Sequence, residues 1–297
     1  MSSIQVRNLT KSYQEFGKRS ENVLCNFNLR IKYGSIYSLV GSSGCGKTTF
    51  INCLLAMQKI DKGEIKIFNQ KVEYPNLNGL SKLIGYMPQH ITLASQLSIN
   101  ETFHYFASLQ LIDDKTFKER SEMLFELLCL PSKDALIGKL SNGQQRRVSF
   151  AVAVLHDPRI LILDEPTVGL DVEIRQRIWK FLQKQSSEKN VTVLFTTQYL
   201  NEISRAHCCG FLRRGKLIIE NSHDKILEQL NVSNIDEAFY QICYLDENNK
   251  ISNISASFNE TYHNFEDKSI KNNKIIRWQV LKGLLIKEWK RMKRNPK

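Results

Sequence analysis

Residues 40–49 read Val40-Gly41-Ser42-Ser43-Gly44-Cys45-Gly46-Lys47-Thr48-Thr49, and this stretch decides the fold. An apolar run from Ser35 to Val40 precedes it, and an apolar segment from Phe50 to Met57 follows it. The run predicts a buried strand and the segment predicts a helix. The stretch therefore fits the pattern G-x-x-x-x-G-K-[ST] in the strand–loop–helix context that a phosphate-binding loop requires.

Each residue type in this stretch has a physical reason. Glycines at positions 41, 44 and 46 allow backbone conformations that are closed to other residues, and they let the loop approach a ligand. Successive backbone N–H groups and the helix N-terminus then form an anion site. Lys47 is expected to bind the β- and γ-phosphates of a nucleotide, and the Thr48 hydroxyl to bind Mg²⁺. A glycine-rich loop that matches by chance is the alternative.

The charge of the chain is concentrated at its end. The 297 residues carry a net charge of +12, which favours an acidic partner such as a nucleotide, a nucleic acid or an anionic lipid. Nine Lys or Arg and one Glu lie in residues 274–297, so +8 of this charge falls there and +4 on the remainder. We therefore expect no nucleic-acid-binding face on the body of the protein.

The cysteines and the apolar runs indicate the cellular compartment of the chain. The seven cysteines form no C-x-x-C pair, which is typical of a reduced, cytosolic chain. Cys45, inside the phosphate loop, is interpreted as a small residue there. No signal peptide follows Met1, and no apolar run reaches the ~18 residues of a spanning helix. We expect that the chain as given does not cross a membrane.

The segments before the phosphate loop predict antiparallel strands. Residues 4–9 largely alternate apolar and polar side chains, and so do residues 23–31. Tyr13 lies between these runs, where an aromatic ring could stack on an adenine base. A tyrosine of the core or of a sheet edge is the alternative interpretation.

The segments after the first helix combine a loop and a helical region. Residues 84–90 are interpreted as a strand end that runs into a proline-broken loop, and the amide of Gln89 in this loop could join the Mg²⁺ shell. From Ser98 to Leu130 apolar residues recur at helical spacing, and Ser98 with Glu101 resembles a capping box. This pattern predicts a separate helical lobe with aromatic side chains in its core.

A polar stretch from Leu140 to Arg147 runs into a predicted helix from Val148 to Leu155. Ser141 and Gly143 are expected at a helix start, where a hydroxyl and backbone N–H groups can face a phosphate. A serine cap followed by a glycine turn is the simpler alternative.

Two carboxylates at a strand end point to phosphoryl chemistry. Residues 160–163 are apolar and predict a central strand, which ends in Asp164 and Glu165. Asp164 is placed to hold Mg²⁺ through water, and Glu165 to orient or polarise an attacking water. Asp171 lies in the turn that follows, and Gln198 closes a β-branched strand predicted at residues 191–195, at the edge where ligands bind in open α/β sheets.

Taken together, these motifs resemble the nucleotide-binding domain of ATP-binding cassette (ABC) transporters, over about residues 4–240. The five matching elements, in family order, are the phosphate loop at 41–49, the glutamine loop at Gln89, the signature at Leu140 to Gln145, the strand that ends in Glu165, and the D-loop at Asp171. The runs 143–149 and 164–171 resemble eukaryotic half-transporters of the G and H subfamilies, and the arthropod H subfamily is the closer match expected.

The resemblance implies an α/β fold with a P-loop NTPase core of the ABC type, an N-terminal antiparallel β subdomain and a helical signature subdomain. It implies ATP and Mg²⁺ as cofactors and two domains that close head to tail over two ATP molecules. Catalytic roles fall on Lys47, Glu165 and Gln198, and Mg²⁺ ligands on Thr48, Gln89 and Asp164. The implied nucleotide-binding residues are Tyr13, Gly41, Ser42, Ser43, Gly44, Cys45, Gly46, Lys47, Thr48, Thr49, Gln89, Ser141, Gly143, Gln144 and Asp171.

Two positions depart from the family pattern. Asn142 stands where the signature usually has glycine, and asparagine tolerates a left-handed backbone better than most residues. Gln198 stands where the family has its switch histidine. A glutamine amide can donate to a phosphate but cannot act as a protonatable imidazole. Nucleotide binding is therefore expected, and reduced turnover is an open alternative.

The end of the chain predicts a membrane contact. Residues 246–273 are polar and are interpreted as a linker after a nucleotide-binding domain at 1–245, whose helical subdomain covers about 91–150. Residues 274–297 predict a basic amphipathic helix, with Trp278 and Trp289 on its apolar side, just before a transmembrane domain. A helix that packs on the domain is the alternative.

The leading expectation is the ATPase subunit of a half-transporter that exports a substrate the sequence does not define. Its expected partners are a second nucleotide-binding domain, a transmembrane domain and the cytoplasmic face of a membrane, without nucleic acid. The alternatives are a non-transport ABC protein and an ATP-binding regulatory module with little turnover.

Overall fold

The computed structural model describes residues 2–13 and 21–247. A first compact unit ends at Tyr244. The last described helix continues to Glu247, so it includes the first two residues of the predicted linker. The rest of that linker and the predicted basic helix at 274–297 lie outside the described residues.

The N-terminal half of the fold begins with an antiparallel sheet of order β2-β1-β4-β5. Alternating side chains of its first two strands, such as Ile4, Val6, Leu29 and Ile31, are buried, as the period of two in the sequence predicts. The strands are β1 (Ser2–Tyr13), β2 (Glu21–Lys32), β4 (Lys62–Ile67) and β5 (Gln70–Lys71). The predicted antiparallel β subdomain is confirmed.

The second sheet has the order β10-β9-β3-β8-β7-β6 and is parallel except for β10. Its central strands β3, β7 and β8 are buried along their whole length and mostly apolar, because both faces of the sheet are covered. The strands are β3 (Ile36–Val40), β6 (Ile84–Met87), β7 (Ile160–Asp164), β8 (Thr192–Thr197), β9 (Cys208–Arg213) and β10 (Lys216–Asn221).

The register of this sheet brings the motif-bearing loops to one edge. Val40 pairs with Thr197, and Asp164 pairs with Thr196. Parallel strands end at the same side of a sheet, so the phosphate loop, the two carboxylates and Gln198 all follow carboxyl ends of neighbouring strands. The predicted α/β core is confirmed.

Seven α-helices lie in the described part of the chain. They are α1 (Lys47–Leu54), α2 (Ile99–Leu109), α3 (Asp114–Leu127), α4 (Asn142–Val154), α5 (Val172–Lys189), α6 (His223–Leu230) and α7 (Ile235–Glu247). The capping box of α2 forms as predicted, since Glu101 N donates to Ser98 Oγ and Ser98 N to Glu101 Oε2, at 3.2 and 2.7 Å.

The helical region does not have a core of its own. Phe103 of α2 and Leu124 of α3 belong to the same cluster of buried side chains as Trp179 of α5 and Phe195 of β8. The sequence predicted a separate lobe, because helical periodicity reveals that a face is buried but not against which element. In the structure this face is continuous with the core of the sheet.

The first helix differs from its predicted bounds at both ends. α1 begins at Lys47 rather than Phe50, with Gly46 as its cap at a φ of 113°, and it ends at Leu54 rather than Met57. α4 begins at Asn142, ahead of the apolar segment predicted from Val148, and Ser141 caps it, which confirms the serine cap given as an alternative. In both cases a polar motif occupies the first turn, where the apolar periodicity of the sequence gives no signal.

Across residues 2–13 and 21–247, the structure contains no helix with the length and apolar character needed to span a bilayer.

Candidate functional site

The phosphate loop depends on glycine at three positions. Gly44 and Gly46 have φ angles of 76° and 113°, where a side chain would be strained. Gly41 lies so close to β9 that an added Cβ would be 2.3 Å from the carbonyl oxygen of Leu212. The loop conformation therefore requires the glycines that the motif specifies.

Lys47 spans the loop that it belongs to. Its Nζ atom donates to the carbonyl oxygens of Gly41 and Ser42, at 2.7 and 3.0 Å. The residue is buried and also lines a pocket at the edge of the sheet. An ammonium group held only by neutral carbonyls can be transferred to an anion in this pocket, because a charge-assisted contact is stronger than a contact with a neutral acceptor.

The pocket brings most of the predicted residues together. Its lining includes Ser43, Lys47, Thr48, Gln89, Glu165 and Gln198, which come from four separate loops. Gly44, Gly46 and Thr49 also line it, and the exposed Ser42 lies beside them. Cys45 is buried, and burial raises the pKa of its thiol, which fits its interpretation as a small uncharged side chain.

Three oxygen atoms converge where a metal ligand set was predicted. The Thr48 hydroxyl donates to Asp164 Oδ2 at 2.9 Å and lies 3.5 Å from Gln89 Oε1. Hydroxyl, amide and carboxylate oxygens are the hard donors that suit Mg²⁺. The residues present therefore fit this ion.

Glu165 is held in an unusual backbone conformation. Its φ is 52°, in the left-handed region that non-glycine residues enter at some cost. Its carboxylate accepts from Gln198 Nε2 at 2.6 Å and from Gln89 Nε2 at 3.3 Å. The carboxylate thus faces the pocket between the two glutamine amides, where it can contact a water molecule.

Arg146 was not predicted, although it joins the main parts of the site. From the buried face of α4 it donates to the backbone carbonyl of Gln89 at 2.9 Å, to that of Asp164 at 3.2 Å and to that of Glu165. Burial lowers the pKa of its guanidinium, which the nearby Glu165 and Asp164 carboxylates oppose. No residue pattern in the sequence marks this role, because it arises only when α4 packs against the segments that follow β6 and β7.

Thr196 is a second residue that the sequence analysis missed. Its hydroxyl donates to Asp164 Oδ1 at 2.5 Å and accepts from the backbone N–H of Glu165 at 3.0 Å. The residue is fully buried in β8, next to β7. A threonine in a β-branched strand is ordinary, so nothing in the sequence alone distinguishes it.

The signature residues lie outside the pocket. The Ser141 hydroxyl accepts from Gln144 N at 3.2 Å, and Gln144 Oε1 accepts from Ser141 N at 2.9 Å, which forms a capping box. Gly143 packs closely on the turn after β7, because an added Cβ would be 3.0 Å from the carbonyl oxygen of Gly169 and that turn would have to shift by a few tenths of an ångström. Asn142 is the first residue of α4, so the left-handed backbone considered for it is not needed.

Asp171 and Tyr13 also lie outside the pocket lining. Asp171 is exposed and caps α5, accepting from Ile174 N at 2.9 Å. Tyr13 is 39% exposed at the end of β1, its hydroxyl is hydrogen-bonded to Gln58, and Lys11 Nζ lies 5.3 Å from its ring centroid. A ring this accessible can receive a base, and that role stays a prediction.

Comparison with known proteins agrees with this geometry. The family model described as ABC transporter matches residues 24–168. Two curated relatives from Dictyostelium discoideum, ABC transporter G family members 23 and 20, are 34% and 33% identical over 86% and 82% of this chain. The chain carries the nucleotide-binding domain of the ABC transporter family. The G-subfamily resemblance is confirmed, while the narrower H-subfamily assignment stays a prediction.

Solved structures extend the agreement to three dimensions. The ATP-binding cassette MJ0796, in a dimeric post-hydrolysis state bound to ADP and Pi, matches with a TM-score of 0.68 and 28% identity, covering 74% of this chain and 98% of that one. A second family model, described as AAA domain, putative AbiEii toxin, Type IV TA system, matches residues 133–204. This ABC domain is therefore an ATPase. The chain spans about a third of the length of the two G family relatives.

We predict that Arg146→Lys lowers ATP turnover about 10-fold or more. A lysine ammonium cannot bind three carbonyl oxygens on two segments as the planar guanidinium does. The carbonyl-bearing segments would then shift, and small displacements of reacting groups lower the rate strongly. The matched control is Arg147→Lys. Arg147 donates to the carbonyls of Leu128 and Cys129, away from the pocket, so its loss is expected to affect stability only. Steady-state ATPase assays and thermal unfolding of both variants provide the measurement. Equal turnover in the two variants contradicts the prediction.

Proposed function

We propose that the chain is the ATP-binding and ATP-hydrolysing part of a half-transporter, in which ATP-dependent dimerisation drives transport across a membrane. The single observation that supports this most strongly is the pocket where Lys47, Thr48, Gln89, Glu165 and Gln198 meet. The signature at Ser141 is exposed and lies outside that pocket. In this proposal the signature therefore acts on the nucleotide of a second domain.

In this proposal ATP binds with its phosphates along the phosphate loop. Lys47 exchanges the carbonyls of Gly41 and Ser42 for the β- and γ-phosphate oxygens. Thr48, Gln89 and Asp164 hold Mg²⁺, which neutralises charge on the phosphates when it is bound. The backbone N–H groups of residues 44–49 supply the remaining donors at the N-terminus of α1.

Glu165 then positions the attacking water. Its carboxylate already accepts from the amides of Gln198 and Gln89. These contacts fix the direction of the carboxylate, so that it can accept a hydrogen bond from water and raise the nucleophilicity of the oxygen. Gln198 can donate either to Glu165 or to the γ-phosphate, which makes it the group that senses whether the phosphate is present.

The second half of each site comes from a partner domain. The N-terminus of α4 is exposed at Ser141 and Asn142, and a helix N-terminus attracts a phosphate. The γ-phosphate bound by one domain would meet Ser141, Gly143 and Gln144 of the other. Asp171 is exposed on the turn that follows Glu165 in the sequence, and it would lie in the same interface between the two domains. MJ0796 is described as a dimer.

The membrane part of the proposal rests on relatives and on composition. The G family relatives are named transporters, and this chain matches about a third of each. Residues 274–297 add a basic stretch with a net charge of +8, from nine Lys or Arg and one Glu. We place the domain at the cytoplasmic face, where ATP is present, with a transmembrane domain as its partner.

A second function is favoured by one observation, the glutamine at position 198. Without an imidazole that can be protonated, the chain could bind ATP and dimerise but turn over slowly, and so act as a regulatory module. The two functions differ in rate rather than in structure, so turnover separates them.

We predict that Gln198→His raises the turnover of ATP, because the imidazole can donate to the phosphate in its charged form, and a single positioned group of this kind contributes about 10²–10³ in rate at such sites. Gln70→His, the same exchange on the exposed strand β5, is the control and should change nothing. If wild type and Gln198→His hydrolyse ATP equally fast, glutamine is an adequate substitute and the regulatory function loses its support.

We also predict that residues 274–297 bind anionic membranes. The apolar side of this segment, with Trp278 and Trp289, should insert at the interface while its basic side chains each contribute about 1 kcal/mol. Vesicles that contain phosphatidylserine should sediment the whole chain but not a chain that ends at Asn273, and Trp278→Ala with Trp289→Ala should weaken binding. High salt should weaken it without abolishing it. Equal sedimentation of all versions contradicts a membrane contact.

A further inference from the structure

A buried carboxylate outside the pocket lining joins the two segments that carry Glu165 and Gln198. Glu202 belongs to a 3₁₀ turn, Leu200–Arg205, and is 2% exposed. One of its oxygens, Oε1, accepts from the Thr167 hydroxyl, and the other, Oε2, accepts from the Thr197 hydroxyl at 2.7 Å. Both threonines are almost fully buried.

The two threonines occupy positions next to functional residues. Thr167 lies two residues after Glu165, in a turn closed by Val168 N to Glu165 O at 3.4 Å and by Leu170 N to Thr167 O at 3.2 Å. That turn leads to Asp171. Anchoring Thr167 therefore anchors the segment between Glu165 and the exposed D-loop.

Thr197 immediately precedes Gln198 at the end of β8. Its hydroxyl oxygen also accepts from the backbone N–H of Tyr199 at 2.9 Å, so it fixes the residues on both sides of Gln198. The backbone N–H of Glu202 donates to the carbonyl of Tyr199 at 3.2 Å, which ties the 3₁₀ turn to the same segment.

A carboxylate suits this position for a chemical reason. It offers an acceptor oxygen to each hydroxyl, while an amide of the same shape offers one oxygen and one N–H donor. With glutamine, one threonine hydroxyl would have to reverse and give up a bond, or a buried donor would remain unpaired, and both alternatives are costly in a region of low dielectric constant.

We propose that Glu202 is a positioning residue that sets the spacing between Glu165 and Gln198. It does not line the pocket, and it acts only through the two threonines. The contact that it controls is the 2.6 Å hydrogen bond from Gln198 Nε2 to Glu165 Oε1, which must be broken and formed again if Gln198 exchanges between carboxylate and phosphate. This role rests on the proposed function of the same site.

The first experiment is a double-mutant cycle on turnover. Glu202→Gln is introduced into wild type and into Gln198→Ala, and kcat, KM for ATP and the ATP dissociation constant are measured for all four proteins. We expect kcat to fall between about 10- and 100-fold in wild type, the range for a misplaced reacting group, with the ATP dissociation constant within about twofold. In the Gln198→Ala background the further loss should be less than about threefold, because the residue being positioned is gone.

A matched control separates positioning from the general effect of replacing a buried carboxylate. Glu220 on β10 is also a buried carboxylate, and burial raises its pKa to about 7. It does not line the pocket, so Glu220→Gln makes the same exchange outside the pocket and should leave kcat unchanged. Thermal unfolding of both variants shows how much of any loss is general destabilisation.

A second pair of variants tests the hydroxyl contacts directly. Thr197→Val keeps the volume of the side chain and removes the hydroxyl, whereas Thr197→Ser keeps the hydroxyl and removes a methyl group. We expect Thr197→Val to reproduce the kcat loss of Glu202→Gln and Thr197→Ser to retain most of the turnover. A role in packing alone would give the reverse order.

The outcomes distinguish the positioning role of Glu202 from the proposed ATPase function on which that role rests. Equal losses of kcat in both backgrounds, or a parallel loss of ATP binding, would overturn the positioning role and leave the ATPase function intact. A wild-type protein that binds ATP but never hydrolyses it would overturn the proposed catalytic function, and the positioning role with it.

Discussion

The hydrogen bond from Thr48 to Asp164 is the contact on which the rest of the site depends. It joins the first turn of α1 to the end of β7, two elements more than a hundred residues apart in sequence. It can form only because β3, β8 and β7 are neighbours in register and end at one edge. The same register places Lys47 near Glu165 and Gln198. Any change that displaces α1 or β7 by a fraction of a helical turn would separate the phosphate-binding group from the carboxylates that serve it.

The carboxylates are kept in place by polar contacts within an apolar core. Asp164 is nearly fully buried, and Thr196 and Thr48 each donate to one of its oxygens. Glu165 has a left-handed backbone, which Arg146 and Thr196 stabilise by binding its carbonyl and its N–H group. Buried polar groups of this kind are costly when unpaired, so each partner contributes to both stability and geometry. The helix that carries the exposed signature also carries Arg146, which binds the carbonyl of Glu165. Movement of α4 against the sheet would therefore displace Glu165.

Local motifs could be predicted from the sequence, and contacts between distant segments could not. The phosphate loop, the strand before it and the pair Asp164 and Glu165 combine a residue pattern with a strand or helix signal, and the structure places them as expected. Arg146, Thr196 and Glu202 have no such pattern, because their roles arise only when α4, β8 and the turn after β8 are brought together. The start of α4 was predicted from its cap at Ser141 and not from its apolar period, because a polar first turn gives no such period.

The proposed function requires that this domain has half of a composite ATP site and that a second copy of the chain completes it. The most direct measurement is the molar mass of Glu165→Gln in solution, by sedimentation or light scattering, with and without Mg-ATP. In the proposed mechanism, removing the charge of Glu165 would block the step that positions water and would preserve the shape of the pocket, so nucleotide should be trapped. The mass should then double on addition of Mg-ATP, and it should not change when Lys47→Ala is added to the same protein. A variant that binds Mg-ATP and keeps the mass of a single chain at all concentrations would contradict the claim.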